Sequence, residues 1–95
     1  MKEIFVKIKK EFDHRNRLGI MSILMVNDWV DYSSIKEMLG LTDGNLASHI
    51  KTLEKSEFIE MKKEFVGRKP QTSYRATTGG KKAFNEHLDA LEALI

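Results

Sequence analysis

The stretch from Leu41 to Lys55 constrains this chain more than any other part of it. Leu46, Ile50 and Leu53 recur at helical spacing, so on an α-helix they form one apolar stripe. Asn45, Ser48, His49, Thr52 and Lys55 then fall on the opposite side. Amide, hydroxyl, imidazole and ammonium groups gathered on one helix face are the groups that pair with base edges and phosphates. Thr42 stands where the helix needs an N-cap hydroxyl, and Gly40 where a preceding helix would turn through left-handed backbone.

The segments on either side fit that helix into a small fold. Ser33 or Ser34 caps a short helix holding Ile35, Met38 and Leu39, and Ser34 with Glu37 has the spacing of a capping box. Gly40-Leu41-Thr42 is then a link of the length that joins the helices of a helix-turn-helix. Upstream, Asp13 or Asn16 caps a helix carrying Leu18, Ile20, Met21, Ile23, Leu24 and Val26, apolar on more than one face and so central to the core. It ends at Asn27-Asp28, and Trp29-Val30-Asp31 follows as a short strand. Downstream, Phe58–Val66 and Thr72–Ala76 read as strands joined by the basic turn Gly67-Arg68-Lys69-Pro70. Thr77 or Thr78 caps a last helix. At the N-terminus, Ile4, Phe5, Ile8 and Phe12 share a helical face. The expected fold is mainly α with a small β-hairpin, an α+β winged helix-turn-helix with helical extensions at both termini, forming a single domain over residues 1–95.

Composition narrows the function classes. Ninety-five residues, 41% of them hydrophobic and 32% charged, suit one soluble domain with one core. No apolar run approaches the roughly 20 residues that span a bilayer, and the basic N-terminus lacks a signal-peptide core, so a cytoplasmic protein without a membrane partner is expected. The absence of cysteine rules out disulfides and thiolate metal sites. His14, His49 and His87 are scattered along the chain without ligand spacing, so neither metal nor cofactor is expected. There is no glycine-rich phosphate loop and no recognisable nucleophile or acid pair, which argues against an enzyme. The net charge of +2 is unevenly divided: residues 42–82 hold nine Lys or Arg against five acids, and residues 83–95 hold three acids and no base. Positive charge therefore sits on the half with the polar helix and basic turn, while the C-terminal end is acidic and apolar.

Arg17-Leu18-Gly19-Ile20-Met21-Ser22-Ile23-Leu24, Leu41-Thr42, Asn45-Leu46-Ala47-Ser48-His49-Ile50-Lys51, Leu53-Glu54, Phe58-Ile59 and Gly67-Arg68-Lys69-Pro70 with Thr72 and Tyr74 resemble the compact winged-helix transcriptional regulators related to the MarR and ArsR repressors. The resemblance covers nearly the whole chain. It implies a homodimer that binds double-stranded operator DNA through the third helix and the wing, and it gives Ser48 and His49 a DNA-contact role. Two departures bear on sensing. The chain lacks the cysteines of arsenic-type sensors, and its ends are shorter than those that frame a ligand cleft in antibiotic-resistance-type members. A small-molecule effector is left open.

These readings assign roles to particular residues. Thr42, Asn45, Ser48, His49, Lys51, Thr52 and Lys55, on a helix over 42–56, are expected to read the major groove. Arg68, Lys69, Thr72 and Tyr74, on a wing over 65–74, are expected at the minor groove or on phosphates. The terminal segments 1–12 and 78–95 carry more apolar surface than one small core can cover. Ile4, Phe5, Ile8, Phe12, Phe84, Leu88, Leu91 and Ile95 are therefore expected to form a dimer interface, and a two-fold dimer implies a pseudo-palindromic operator. The alternative is a winged helix used as a protein-interaction module.

Overall fold

The computed structural model describes every residue from Met1 to Ile95. Its elements run α1 (Lys2–Phe5), a 3₁₀ turn (Lys10–Phe12), α2 (Arg15–Val26), β1 (Val30–Asp31), α3 (Tyr32–Leu39), α4 (Asp43–Lys55), β2 (Ile59–Val66), β3 (Lys69–Ala76) and α5 (Thr78–Ala93). The strands form one antiparallel sheet in the order β1-β3-β2, with Val30 opposite Tyr74 and Glu60 opposite Arg75. The trihelical unit α2–α3–α4 packs on this sheet through one core. Ile20, Met21 and Leu24 of α2, Ile35 of α3 and Leu46, Ile50 and Leu53 of α4 meet Ile59 and Tyr74 there. Each such buried side chain contributes roughly 1.5–3 kcal/mol relative to exposure.

Local chemistry sets where the helices begin and end, and several caps differ from the sequence reading. Thr42 does cap α4, its Oγ1 accepting the Asn45 N–H at 3.2 Å, and Thr77 caps α5 through the Gly80 N–H at 2.9 Å. At α3, however, the cap is Asp31 rather than Ser33 or Ser34: its carboxylate accepts both the Ser34 N–H (3.0 Å) and the Ser34 hydroxyl (2.7 Å). Ser34 thus lies inside the first turn as a donor, so no capping box forms. At α2 the cap is His14, whose Nδ1 accepts the Asn16 N–H at 3.1 Å, instead of Asp13 or Asn16. An imidazole nitrogen does here what a carboxylate or amide oxygen usually does.

Both helices of the helix-turn-helix close with the same backbone motif. Gly40 sits at φ +63°, donating to Glu37, while Leu41 donates to Lys36. Glu57 repeats this at the end of α4 with φ +60°, donating to Glu54, while Phe58 donates to Leu53. Glycine takes that conformation freely; glutamate accepts a strain of about 1–2 kcal/mol. The turn so made sends the chain from α4 directly into β2.

The first twelve residues are not the continuous amphipathic helix their spacing suggested. Only Lys2–Phe5 is α-helical, and the segment then winds through the 3₁₀ turn to place Phe12 at 0% exposure. Phe12 stacks on Phe58 and meets Phe84 edge-on, both with centroids at 5.1 Å. Burying this aromatic cluster outweighs one or two turns of isolated helix, which are marginal in water. His87 of α5, also buried, fastens the segment by accepting the Lys9 N–H on Nδ1 at 3.0 Å.

Gly80, in the first turn of α5, is required by close approach. A Cβ there would lie 1.9 Å from the Phe58 carbonyl oxygen, a backbone atom fixed by its hydrogen bond to Thr77. Gly80→Ala is therefore expected to destabilise the fold by about 1–3 kcal/mol or more, read as a lower denaturant midpoint. An unchanged midpoint would mean that α5 docks less tightly than described.

Candidate nucleic-acid interface

Burial of Leu46, Ile50 and Leu53 fixes the rotation of α4 and turns Asn45, Ser48, Lys51 and Lys55 fully outward. Thr52 is partly covered and donates its hydroxyl to the Ser48 carbonyl at 3.2 Å. Thr42 is exposed, with its hydroxyl committed to the cap. The acid at the start of this face is neutralised locally. Asp43 pairs with Lys36 at 3.0 Å, and its carbonyl accepts the Tyr32 hydroxyl at 2.9 Å. This arrangement locks the start of α4 to α3 and reduces the repulsion that Asp43 alone would offer a phosphate.

His49 is placed differently from its neighbours. It is half-buried at the edge of the face; its Nδ1 lies 2.9 Å from Arg17 Nη1, and its ring lies 4.2 Å, centroid to centroid, from that of His14. Burial, followed by the charges of His14 and Arg17, holds its pKa below the ordinary histidine value. Two of the three scattered histidines are therefore neighbours in space, which their positions in the chain did not reveal.

The hairpin forms the second part of the site. Val66 pairs with Lys69, so the loop is just Gly67-Arg68, and Gly67 supplies the positive φ (+68°) that a two-residue hairpin demands at its first position. The turn is two residues tighter than the Gly67–Pro70 link expected, because Lys69 and Pro70 already belong to β3. Pro70 is tolerated because β1 pairs only with Ser73 and Tyr74, leaving the distal half of β3 without a neighbour on that side. Arg68 and Lys69 are exposed at the tip, beside Phe65 (74% exposed) and Val66.

Strand alternation gives the hairpin two different faces. One carries Met61, Lys63, Thr72 and Tyr74 and walls a groove whose other side is Tyr32 and Ser33 at the start of α3. Tyr74 is 94% buried, since its relative exposure is 6%, and burial raises its pKa above the ordinary tyrosine value. Its ring thus belongs to the core, which corrects its expected role as a free DNA contact. The opposite face satisfies itself. Arg75 bonds Glu60 and reaches Asp28 at 3.6 Å, and both Arg75 (4.5 Å) and Lys62 (4.6 Å) lie over Trp29. Those cations hold the base of the wing and are not free for phosphate. That Tyr32 and Ser33 line this groove was not legible in the sequence, because only the fold brings the start of α3 opposite the hairpin.

The terminal apolar residues divide in two. Phe12 and Phe84 lie within the protomer's own core, so they leave the expected dimer set: both are needed to close the cluster around His87. Phe5, Leu88, Leu91 and Ile95 remain exposed, with Ile4 and Ile8 partly so.

A trihelical core that presents a polar helix face, flanked by a basic two-stranded wing, defines a winged helix-turn-helix. Residues 16–95 match the model of the winged helix DNA-binding domain, and the chain belongs to that family. It is 34% identical over 79 residues to the uncharacterized protein MJ0432 of Methanocaldococcus jannaschii, covering 83% of this chain and 86% of that one. The structure of a transcriptional regulator homologue from Pyrococcus horikoshii OT3 superposes with a TM-score of 0.86 at 33% identity, over 98% of this chain and 90% of that one. A protein from Porphyromonas gingivalis W83 assigned to the MarR family of transcriptional regulators shares the fold, with a TM-score of 0.69 at 19% identity over 90% and 81% of the two chains. Fold and family are those of transcriptional regulators, and no helix is long and apolar enough to cross a membrane.

Buried His87 and half-buried His49 give the fold a pH limit. Burial depresses the pKa of both His49 and His87 below 6.5, the ordinary value. As pH falls through about 6.5 the unfolded chain takes up these protons before the folded one, so stability is present above that pH and lost below it. The thermal midpoint should fall between pH 7.5 and 5.5. His87→Asn, which keeps an oxygen for the Lys9 N–H but cannot titrate, should flatten part of that slope. A midpoint level across the interval would contradict the assignment.

Proposed function

We propose that this protein is a sequence-specific regulator of transcription that binds double-stranded DNA as a homodimer, acting as a repressor at a pseudo-palindromic operator. The single observation that carries the reading is the α4 face. Asn45, Ser48, Lys51 and Lys55 are exposed on a helix whose other side is locked into the core. Such a helix fits the major groove, where amide and hydroxyl groups discriminate base pairs. Thr42, His49 and Thr52 extend the contact along its edge, and Arg68, Lys69 and Thr72 bring the wing onto the backbone and minor groove.

Membership of a DNA-binding family and the likeness to a transcriptional regulator homologue support this assignment. The two parts of the site should respond differently to mutation. Ser48→Ala or Asn45→Ala should cost about 1–3 kcal/mol on the preferred sequence and little on random duplex. Arg68→Ala should weaken both and reduce the slope of log affinity against log salt by about one. Equal losses on specific and random duplex for all of these variants would contradict base reading by α4.

Dimerisation is assigned to the apolar surface left at the termini. Phe5, Leu88, Leu91 and Ile95, with Ile4 and Ile8 alongside, carry the kind of exposed patch that marks a protein interface. Leu88→Glu with Leu91→Glu should convert a dimer to a monomer in sedimentation and weaken DNA binding strongly. A wild-type monomer, or an unchanged mass in the variant, would place the interface elsewhere.

A second reading, a module that docks on another protein, draws on one observation. Met61, Phe65 and Val66 are exposed along the wing. The polar, partly cationic α4 face favours DNA over that reading.

A further inference from the structure

We propose that His14, Arg17 and His49 form a second seat for the DNA backbone, holding a phosphate on the flank of α4 opposite the wing. The inference rests on the DNA-binding reading above and adds to it His14 and Arg17, which join His49 at the edge of the α4 face.

The cluster stands where a second phosphate wall would pass. At 100° per residue, Asn45, His49, Thr52 and Ser56 descend one flank of α4, while Ala47 and Glu54 descend the other. Glu54 is close enough to Tyr74 of β3 to help raise its pKa, so that flank faces the wing. The other faces the start of α2, through His49 to Arg17 (2.9 Å) and Ser56 to Glu11 (3.4 Å). A helix with its side chains is about 10–12 Å across, and the major groove is about 12 Å wide. A helix seated there therefore meets phosphate walls on both flanks. The wing lies beyond one; the His14–Arg17–His49 cluster lies beyond the other.

Its hydrogen-bond chemistry also suits an anion. A guanidinium can only donate, so His49 Nδ1 accepts from Arg17 and the ring's proton is on Nε2. His14 Nδ1 accepts the Asn16 N–H, which puts the His14 proton on Nε2 as well. Arg17 is oriented by donating its Nε–H to the Glu11 carbonyl and forms no ion pair. The cluster thus has donors left over and no acceptor to spare. Two acids border the cluster and oppose an anion there: the Glu11 carboxylate accepts from Ser56 at 3.4 Å, and Asp13, exposed, forms no ion pair. Arg15, exposed one residue away, adds positive charge. Charged and neutral donors gathered without an acceptor are what an oxyanion completes, and an arginine fork suits phosphate.

The test compares variants on one labelled duplex, and on random duplex, across a salt series. Arg17→Gln should lower affinity about tenfold on both and reduce the salt slope by about one, while Arg17→Lys should restore the slope but not the full affinity. His14→Asn keeps a good helix cap, removes the Nε2–H, and should lose a few-fold in affinity with an unchanged thermal midpoint. An independent readout uses the intact protein: on adding duplex, the Nε2 resonances of His14 and His49 should shift in a long-range proton–nitrogen spectrum while that of buried His87 stays in place. Wild-type affinity and slope in all three variants, or unmoved His14 and His49 resonances in a protein that binds the duplex, would overturn the seat alone. Failure of the wild-type protein to bind any duplex would overturn the DNA reading and the seat with it.

Discussion

Three side chains on one helix, Leu46, Ile50 and Leu53, fix the orientation on which the rest of the molecule depends. Their burial against Ile20, Met21 and Leu24 leaves α4 one rotational setting. A turn of 100° about its axis would push Lys51 and Glu54, or Asn45 and Thr52, toward the core, stranding polar groups without partners at a cost of several kcal/mol. The polar face is therefore outward by necessity. The capping devices then fix where that face stands along the axis: Thr42 at the start, Gly40 just before it and Glu57 just after its end.

The same economy governs the ends of the chain. A small domain has one core, and Phe12, Phe84 and His87 complete it by drawing the N-terminal segment onto α5. What remains apolar at the termini, Phe5, Leu88, Leu91 and Ile95, is left exposed. The hairpin is divided in a similar way between its two faces. Trp29, Lys62 and Arg75 brace its base on one side, while Lys63 and Thr72 line the groove on the other and Arg68 and Lys69 project from the tip. The bracing cations and the exposed ones are different residues, although composition alone makes them look alike.

Much of this was legible in the sequence because it depends on local spacing. The stripe of α4, the Gly40 turn, the Thr42 cap, the strand at Val30-Asp31 and the basic hairpin each lie within a few residues and carry their own chemistry. What was not legible depends on contacts between distant segments. Phe12 has the spacing of a helical stripe, yet Phe58 and Phe84, far along the chain, decide its place. Tyr74 alternates with polar neighbours as a surface residue might, but its side of the sheet faces the core. His14 and His49 are 35 positions apart by their numbers and touch only because α2 crosses α4. The caps at His14 and Asp31 were missed for a different reason: several adjacent residues could have served, and tertiary packing chose among them.

Base reading by the exposed face of α4 is what the proposed function turns on. It is tested most directly by incubating the purified protein with a random pool of duplex DNA, selecting what binds, and sequencing it over a range of salt concentrations. A pseudo-palindrome whose half-site centres lie about 34 Å apart, one helical turn, should be enriched, with affinity that falls steeply as salt rises. A pool that stays unenriched at every salt concentration, bound weakly and without regard to sequence, would contradict it.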